Sequence, residues 1–117
     1  MDFNNLETPY YYYDLALLRR TLDEVKRCTK NNPEFHVHYA VKANFNPRIL
    51  QTIAAAGLGA DCVSGGEVSA AAAAGILSEK IVFAGVGKSD SEIVTALRTG
   101  ISCFNVERRP ALANISV

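Results

Sequence analysis

The residue with the clearest chemical potential is Lys42, at the end of the run Phe35-His36-Val37-His38-Tyr39-Ala40-Val41-Lys42-Ala43-Asn44. Aromatic and β-branched residues are dense here and Pro33 sits just ahead, which predicts a strand. A period of two places Phe35, Val37, Tyr39 and Val41 on one face and His36, His38, Ala40 and Lys42 on the other. The first face suits a layer of packed helices. The second carries two imidazoles, a methyl and an ammonium, which suits a barrel interior near its mouth. Lys42 would then stand at the C-terminal strand end, where α/β barrels keep their chemistry. Plainer readings exist for both. A lysine at a strand end is commonly a solvated surface group, and two histidines two apart seldom make a metal site. No cysteine lies near them in sequence and Asp61, on the next strand, is the only plausible third ligand, which leaves the set short, so His36 and His38 are not expected to hold a metal.

The elements that would position these residues follow a regular plan. Thr8 to Tyr13 is a short extended segment with Pro9 at its start, and its four tyrosines read as half-buried packing. Asp14 is an N-cap for a helix whose apolar face is Leu15, Leu18, Leu22 and Val25, ending near Asn31-Asn32-Pro33. Asn46-Pro47 opens a second helix with Ile49, Leu50 and Ile53 inward, and Gly57 stops it. Gly59 to Val63 is a second strand. It leads through Ser64-Gly65-Gly66-Glu67, a Ser-x-x-Glu pattern that reads as a capping box, into an alanine-rich helix ending at Gly75. Ile81 to Ala84 is a third strand. Ser89-Asp90-Ser91-Glu92 is another capping box, opening a helix to Thr99 with Gly100 as stop. Ile101 to Val106 is a fourth strand.

Strand centres near residues 39, 61, 82 and 103 give a unit of about 21 to 22 residues. Strands alternating with helices through short loops mean βαβ units and a parallel sheet. Two closures compete, an open doubly wound sheet and a (β/α)8 barrel. The first normally shows G-x-G-x-x-G after its first strand. Here that place holds Lys42-Ala43-Asn44-Phe45-Asn46, without glycine, so the barrel is favoured. A barrel takes about 250 residues, and the chain has 117. The expectation is the first half of a (β/α)8 barrel, residues 1–117 being the N-terminal part of a larger domain.

Composition narrows the class of function. Lys plus Arg and Asp plus Glu are 12 each, so no basic stripe invites nucleic acid. Hydrophobic residues are 49% of the chain, enough for a core. The apolar run around Ala70 to Leu77 is too short to span a bilayer, and Met1 to Thr8 has no signal-peptide pattern. Cys28, Cys62 and Cys103 are widely spaced and odd in number, which fits reduced thiols in a cytoplasmic protein.

Three stretches together resemble one family: Tyr39-Ala40-Val41-Lys42-Ala43-Asn44 with Ile49, Leu50 and Ile53; Gly59-Ala60-Asp61-Cys62-Val63-Ser64-Gly65-Gly66-Glu67; and Lys80 to Lys88 with Phe104-Asn105-Val106-Glu107. They are similar to the pyridoxal-phosphate-dependent decarboxylases of the alanine-racemase-like barrel class, and within it to the bacterial diaminopimelate decarboxylases. Residues 8 to 107 share in the likeness, while Arg108-Arg109-Pro110-Ala111-Leu112 is a loose match to the family's next helix. The resemblance implies pyridoxal 5'-phosphate as cofactor, with Lys42 as its attachment point. It implies Asp61 as an acidic group near that lysine and the ring, and Ala40 as part of the floor under the cofactor. Ser64 and Glu67 lie in a family block without an assigned role. A lysine amine attacks an aldehyde only when unprotonated, so the family chemistry calls for partial burial and a controlled charge environment.

The implied reaction is decarboxylation of meso-2,6-diaminopimelate to L-lysine and carbon dioxide. The family's phosphate loop, the acidic partner of the pyridine nitrogen and the histidine that stacks on the ring come from later strands. Its C-terminal β-domain and the dimer-interface half-site also lie beyond these residues. The intact protein is therefore expected to be a homodimer acting on a small amino acid, and the 117-residue chain alone an inactive fragment. Two alternatives stand: a cofactor-binding homologue without catalysis, and a related decarboxylase of ornithine, arginine or carboxynorspermidine type.

Overall fold

The computed structural model describes residue 3 and residues 5–106. The expectations for Glu107 to Leu112 lie outside the described residues. Helix α1 (Leu15–Thr29) begins at Asp14, whose carboxylate accepts from the backbone N–H of Ala16 and Leu17 at 2.9 and 3.0 Å. This is ordinary N-capping, satisfying donors that have no partner inside the helix. Strand β1 (His38–Ala40) runs into a single 3-10 turn over Val41–Ala43. Helix α2 (Pro47–Ala55) is capped by Asn46, which accepts from Arg48 N–H at 3.0 Å. Then come β2 (Gly59–Cys62), α3 (Gly65–Ala73), β3 (Ile81–Phe83), α4 (Asp90–Thr99) and β4 (Cys103–Phe104).

The strands form one parallel sheet in the order β1-β2-β3-β4. A doubly wound sheet starts near its middle and reverses direction. This one advances by one strand at each crossover, as a barrel does. The register aligns Ala40 with Asp61, Asp61 with Val82 and Val82 with Cys103. Those four residues make a single row on one face. The alternate positions Ala60, Cys62, Ile81 and Phe83 are fully buried with Val41, Leu50, Ile53 and Val68 in the helix-covered core. The protein is thus the first half of a (β/α)8 barrel, with helices on the outer face and the Ala40–Cys103 row on the inner one.

Two expectations change. The first strand is three residues, not ten, because the chain turns at Val41, whose side chain is driven into the core. Lys42 therefore lies past the strand end, and the alternation that grouped it with His36 stops at Ala40. The four tyrosines are exposed, from 42% at Tyr10 to 88% at Tyr11, and do not pack as half-buried residues.

The β2–α3 and β3–α4 loops touch closely. Ala84 N–H donates to Cys62 O at 2.8 Å. Gly85 lies so near that a Cβ there would run into the carbonyl oxygen of Val63. Gly87, two residues on, has nothing within 4 Å of such an atom. Gly85→Ala should therefore cost about 1–3 kcal/mol through overpacking, with Gly87→Ala near neutral, in paired thermal or denaturant melts. The cysteines carry a second expectation. Cys62 is fully buried, and burial, helped by the charges of Glu67 and Asp61, pushes its thiol up to about 12. Iodoacetamide near pH 8 should modify exposed Cys28 and Cys103 quickly and spare Cys62 until the protein is denatured.

Candidate functional site

Lys42 is presented by a turn whose shape is fixed by its neighbours in sequence. Tyr39 leaves β1 on the core side, and its hydroxyl donates to Asn44 O at 3.1 Å. Burial pushes that phenol up, keeping it protonated and able to donate. Asn44 N–H donates to Val41 O at 3.1 Å, and the Asn44 side chain accepts from Asn46 N–H at 2.9 Å. The turn is thus closed at both ends while Val41 anchors it below. Lys42 is exposed and makes no hydrogen bond or ion pair among the described residues. The partial burial expected for this amine is not provided by the described residues.

Asp61 lies on the neighbouring strand, paired with Ala40, two residues before Lys42. It is half-buried, and its Oδ1 is buried without a hydrogen-bond partner among the described residues. A buried carboxylate oxygen left unpaired is costly. It asks for a donor from something seated against this face. Ala40, with only a methyl group, keeps the surface beside it low. An exposed amine, an unpaired acceptor and a flat floor between them fit a group carrying an aldehyde and polar ring substituents, as pyridoxal phosphate does. The structure brings Lys42, Asp61 and Ala40 to one end of the inner face.

Ser64 and Glu67 serve the loop beneath Asp61. Ser64 Oγ accepts from Glu67 N–H at 3.3 Å, half of the expected capping box. Glu67 does not close the other half. Its carboxylate reaches one residue further back and accepts from Val63 N–H at 2.9 Å. The box at Ser89 and Glu92 is complete. Lys88, not anticipated from sequence, braces the same end of the sheet. Its ammonium donates to the carbonyls of Gly85 and Asn105 and lies 5.1 Å from the centre of the Phe83 ring.

His38 shares the face of Ala40 but stands toward the other end of the strand, beside Gly59. His36 and His38 line a cavity of about 540 Å³ at the N-terminal ends of the strands, with Phe35, Gly59, Lys80 and Ser102. The cavity lies at the opposite end of the sheet from Lys42, and neither Lys42, Asp61 nor Ala40 lines it. Among the described residues, no three His, Cys, Asp or Glu side chains cluster as metal ligands.

Known proteins match this chain in sequence and in fold. Residues 18–117 match the pyridoxal-dependent decarboxylases, in their pyridoxal binding domain. A diaminopimelate decarboxylase of Bacteroides thetaiotaomicron is 54% identical over 114 residues, which is 97% of this chain and 30% of that protein. The crystal structure of diaminopimelate decarboxylase from Helicobacter pylori complexed with L-lysine superposes with a TM-score of 0.89 at 42% identity, covering 97% of this chain and 28% of that one. A lysine/ornithine decarboxylase from Vibrio vulnificus complexed with putrescine follows at a TM-score of 0.73 and 27% identity, covering 86% of this chain and 27% of that one. The chain thus spans under a third of the length of these relatives. Among the described residues no helix is long and apolar enough to cross a membrane. With its matched stretch covering most of its length, the chain belongs to the family of pyridoxal-dependent decarboxylases, within their pyridoxal binding domain.

Proposed function

We propose that this chain supplies the cofactor-attaching lysine of a pyridoxal-phosphate-dependent decarboxylase that converts meso-2,6-diaminopimelate to L-lysine and carbon dioxide. The observation that carries the reading is that exposed Lys42 follows β1 directly, while the unpartnered Asp61 oxygen lies on the neighbouring strand, opposite Ala40. The likeness to diaminopimelate decarboxylases supports the choice of substrate.

In this reading residues 1–117 are the N-terminal part of a cofactor-binding barrel domain. The remaining strands, a C-terminal β-domain and a homodimer partner belong to the intact enzyme, working in the cytoplasm. The bound cofactor supplies an electron sink for the carbon that loses carbon dioxide. Lys42 holds it through its Nζ. Asp61 offers its free oxygen to a polar hydrogen of the bound group, and Ala40 leaves room above the sheet. Tyr39 and Asn44 keep the Lys42 turn from relaxing. Glu67 and Ser64 do the same for the loop after Asp61.

Borohydride reduction in the presence of pyridoxal phosphate, followed by peptide mapping, should place the pyridoxyl group on Lys42. Label on Lys26, Lys30, Lys80 or Lys88 with Lys42 clean would reject the assignment. A further expectation concerns residues 1–117 alone. Phosphate grip in α/β barrels commonly comes from the loops after strands 7 and 8, and the described residues form strands β1 to β4. Residues 1–117 should therefore release no measurable carbon dioxide from meso-diaminopimelate with added cofactor. Turnover that disappears in Lys42→Ala would show that four strands suffice.

A further inference from the structure

Glu92 is the third residue of α4, and its two carboxylate oxygens do different work. Oε2 accepts from the backbone N–H of Ser89 at 3.0 Å and from the Ser89 hydroxyl at 2.8 Å, closing the capping box. Oε1 crosses to the neighbouring unit and accepts from Gly65 N–H at 2.8 Å. Gly65 is the first residue of α3. A Cβ on it would lie 2.8 Å from Glu92 Cγ, so the approach depends on glycine at that position. The Gly65 N–H first, then Ser89, hold the Glu92 carboxyl below its ordinary range, so it is ionised at neutral pH.

The gripped loop is the one that follows Asp61 at the end of β2. Cys62 O is taken by Ala84 N–H, Val63 N–H by Glu67, and Val63 O is covered by Gly85. Glu92 completes the series at Gly65. Asp61 Oδ1 has no bond of its own among the described residues. The backbone behind Asp61 is therefore what aims it.

We propose that Glu92 is a positioning residue for Asp61: by bridging α4 to the first turn of α3 it fixes the β2–α3 loop and so sets where Asp61 stands beside the Lys42 turn. The inference rests on the cofactor reading above for its purpose, but the bridge itself is independent of it. Among the described residues the Glu92 carboxylate accepts hydrogen bonds only from Ser89 and Gly65, so its hold on the β2–α3 loop is made at Gly65.

The test compares Glu92→Ala, Glu92→Gln and Ser89→Ala in the full chain. Ser89→Ala removes the cap of α4 and leaves the Gly65 bridge. One readout is cofactor-free NMR, following the Gly65 amide and the Asp61 side-chain carboxyl resonance. The other is the pyridoxal phosphate concentration needed to label Lys42 under borohydride. Loss of a charge-assisted hydrogen bond in Glu92→Ala should move both resonances and raise that concentration about tenfold. Glu92→Gln, which keeps an acceptor for Gly65, should restore most of both, and Ser89→Ala should leave both near wild type even where it lowers the melting temperature. An unmoved Asp61 resonance in Glu92→Ala would overturn the proposal, as would equal effects of Glu92→Ala and Ser89→Ala. Should wild type take no label on Lys42, the cofactor reading fails, and the Asp61 resonance alone then decides: movement in Glu92→Ala supports the bridge, and none rejects it.

Discussion

Parallel pairing in a single unbroken register is the constraint on which the structure depends. Side chains alternate across a strand, so aligned strands sort into rows that share a face. Once Ala60, Cys62, Ile81 and Phe83 are committed to the helix layer, the row of Ala40, Asp61, Val82 and Cys103 has no choice but the inner face. A slip of one residue in β2 would bury Asp61 among aliphatic side chains and bring Cys62 to the inner surface. The burial of a few apolar residues thus decides where the acidic group stands.

The turn after β1 shows how a motif can be structural and chemical at once. In Tyr39-Ala40-Val41-Lys42-Ala43-Asn44 only Lys42 offers reactive chemistry. Tyr39 and Asn44 close the turn through the hydroxyl-to-carbonyl bond, and Val41 roots it in the core. Lys42 is displayed because its neighbours are occupied.

Much of this was legible in the sequence. Asp14, Asn46, Ser64 and Ser89 announced helix starts, and the strand spacing announced a parallel sheet advancing in order. Lys42 was singled out through its place after a strand and through family likeness, and Asp61 through family likeness; the structure sets Asp61 opposite Ala40, two residues before Lys42. What escaped depends on contacts distant in sequence. The strand ahead of Lys42 read as ten residues because its composition favours extension throughout, whereas the turn is dictated by Val41 finding the core. Glu67 fits a capping box by spacing, and only the loop's geometry sends its carboxylate to Val63. Glu92 satisfies its local motif completely, so nothing in the pattern hinted that its second oxygen serves Gly65. The tyrosines suggested packing by type alone, and the described residues do not cover them.

Two lysines, Lys42 and Lys88, stand at the C-terminal end of this sheet. An ammonium has three donors and no acceptor. Lys88 directs its donors to two carbonyls and rests its charge against the Phe83 ring, so its amine is already committed to the fold. Lys42 has no such ties among the described residues. In the proposed reading, selectivity between the two amines needs no special activation of Lys42, because Lys88 is tied down by its own bonds.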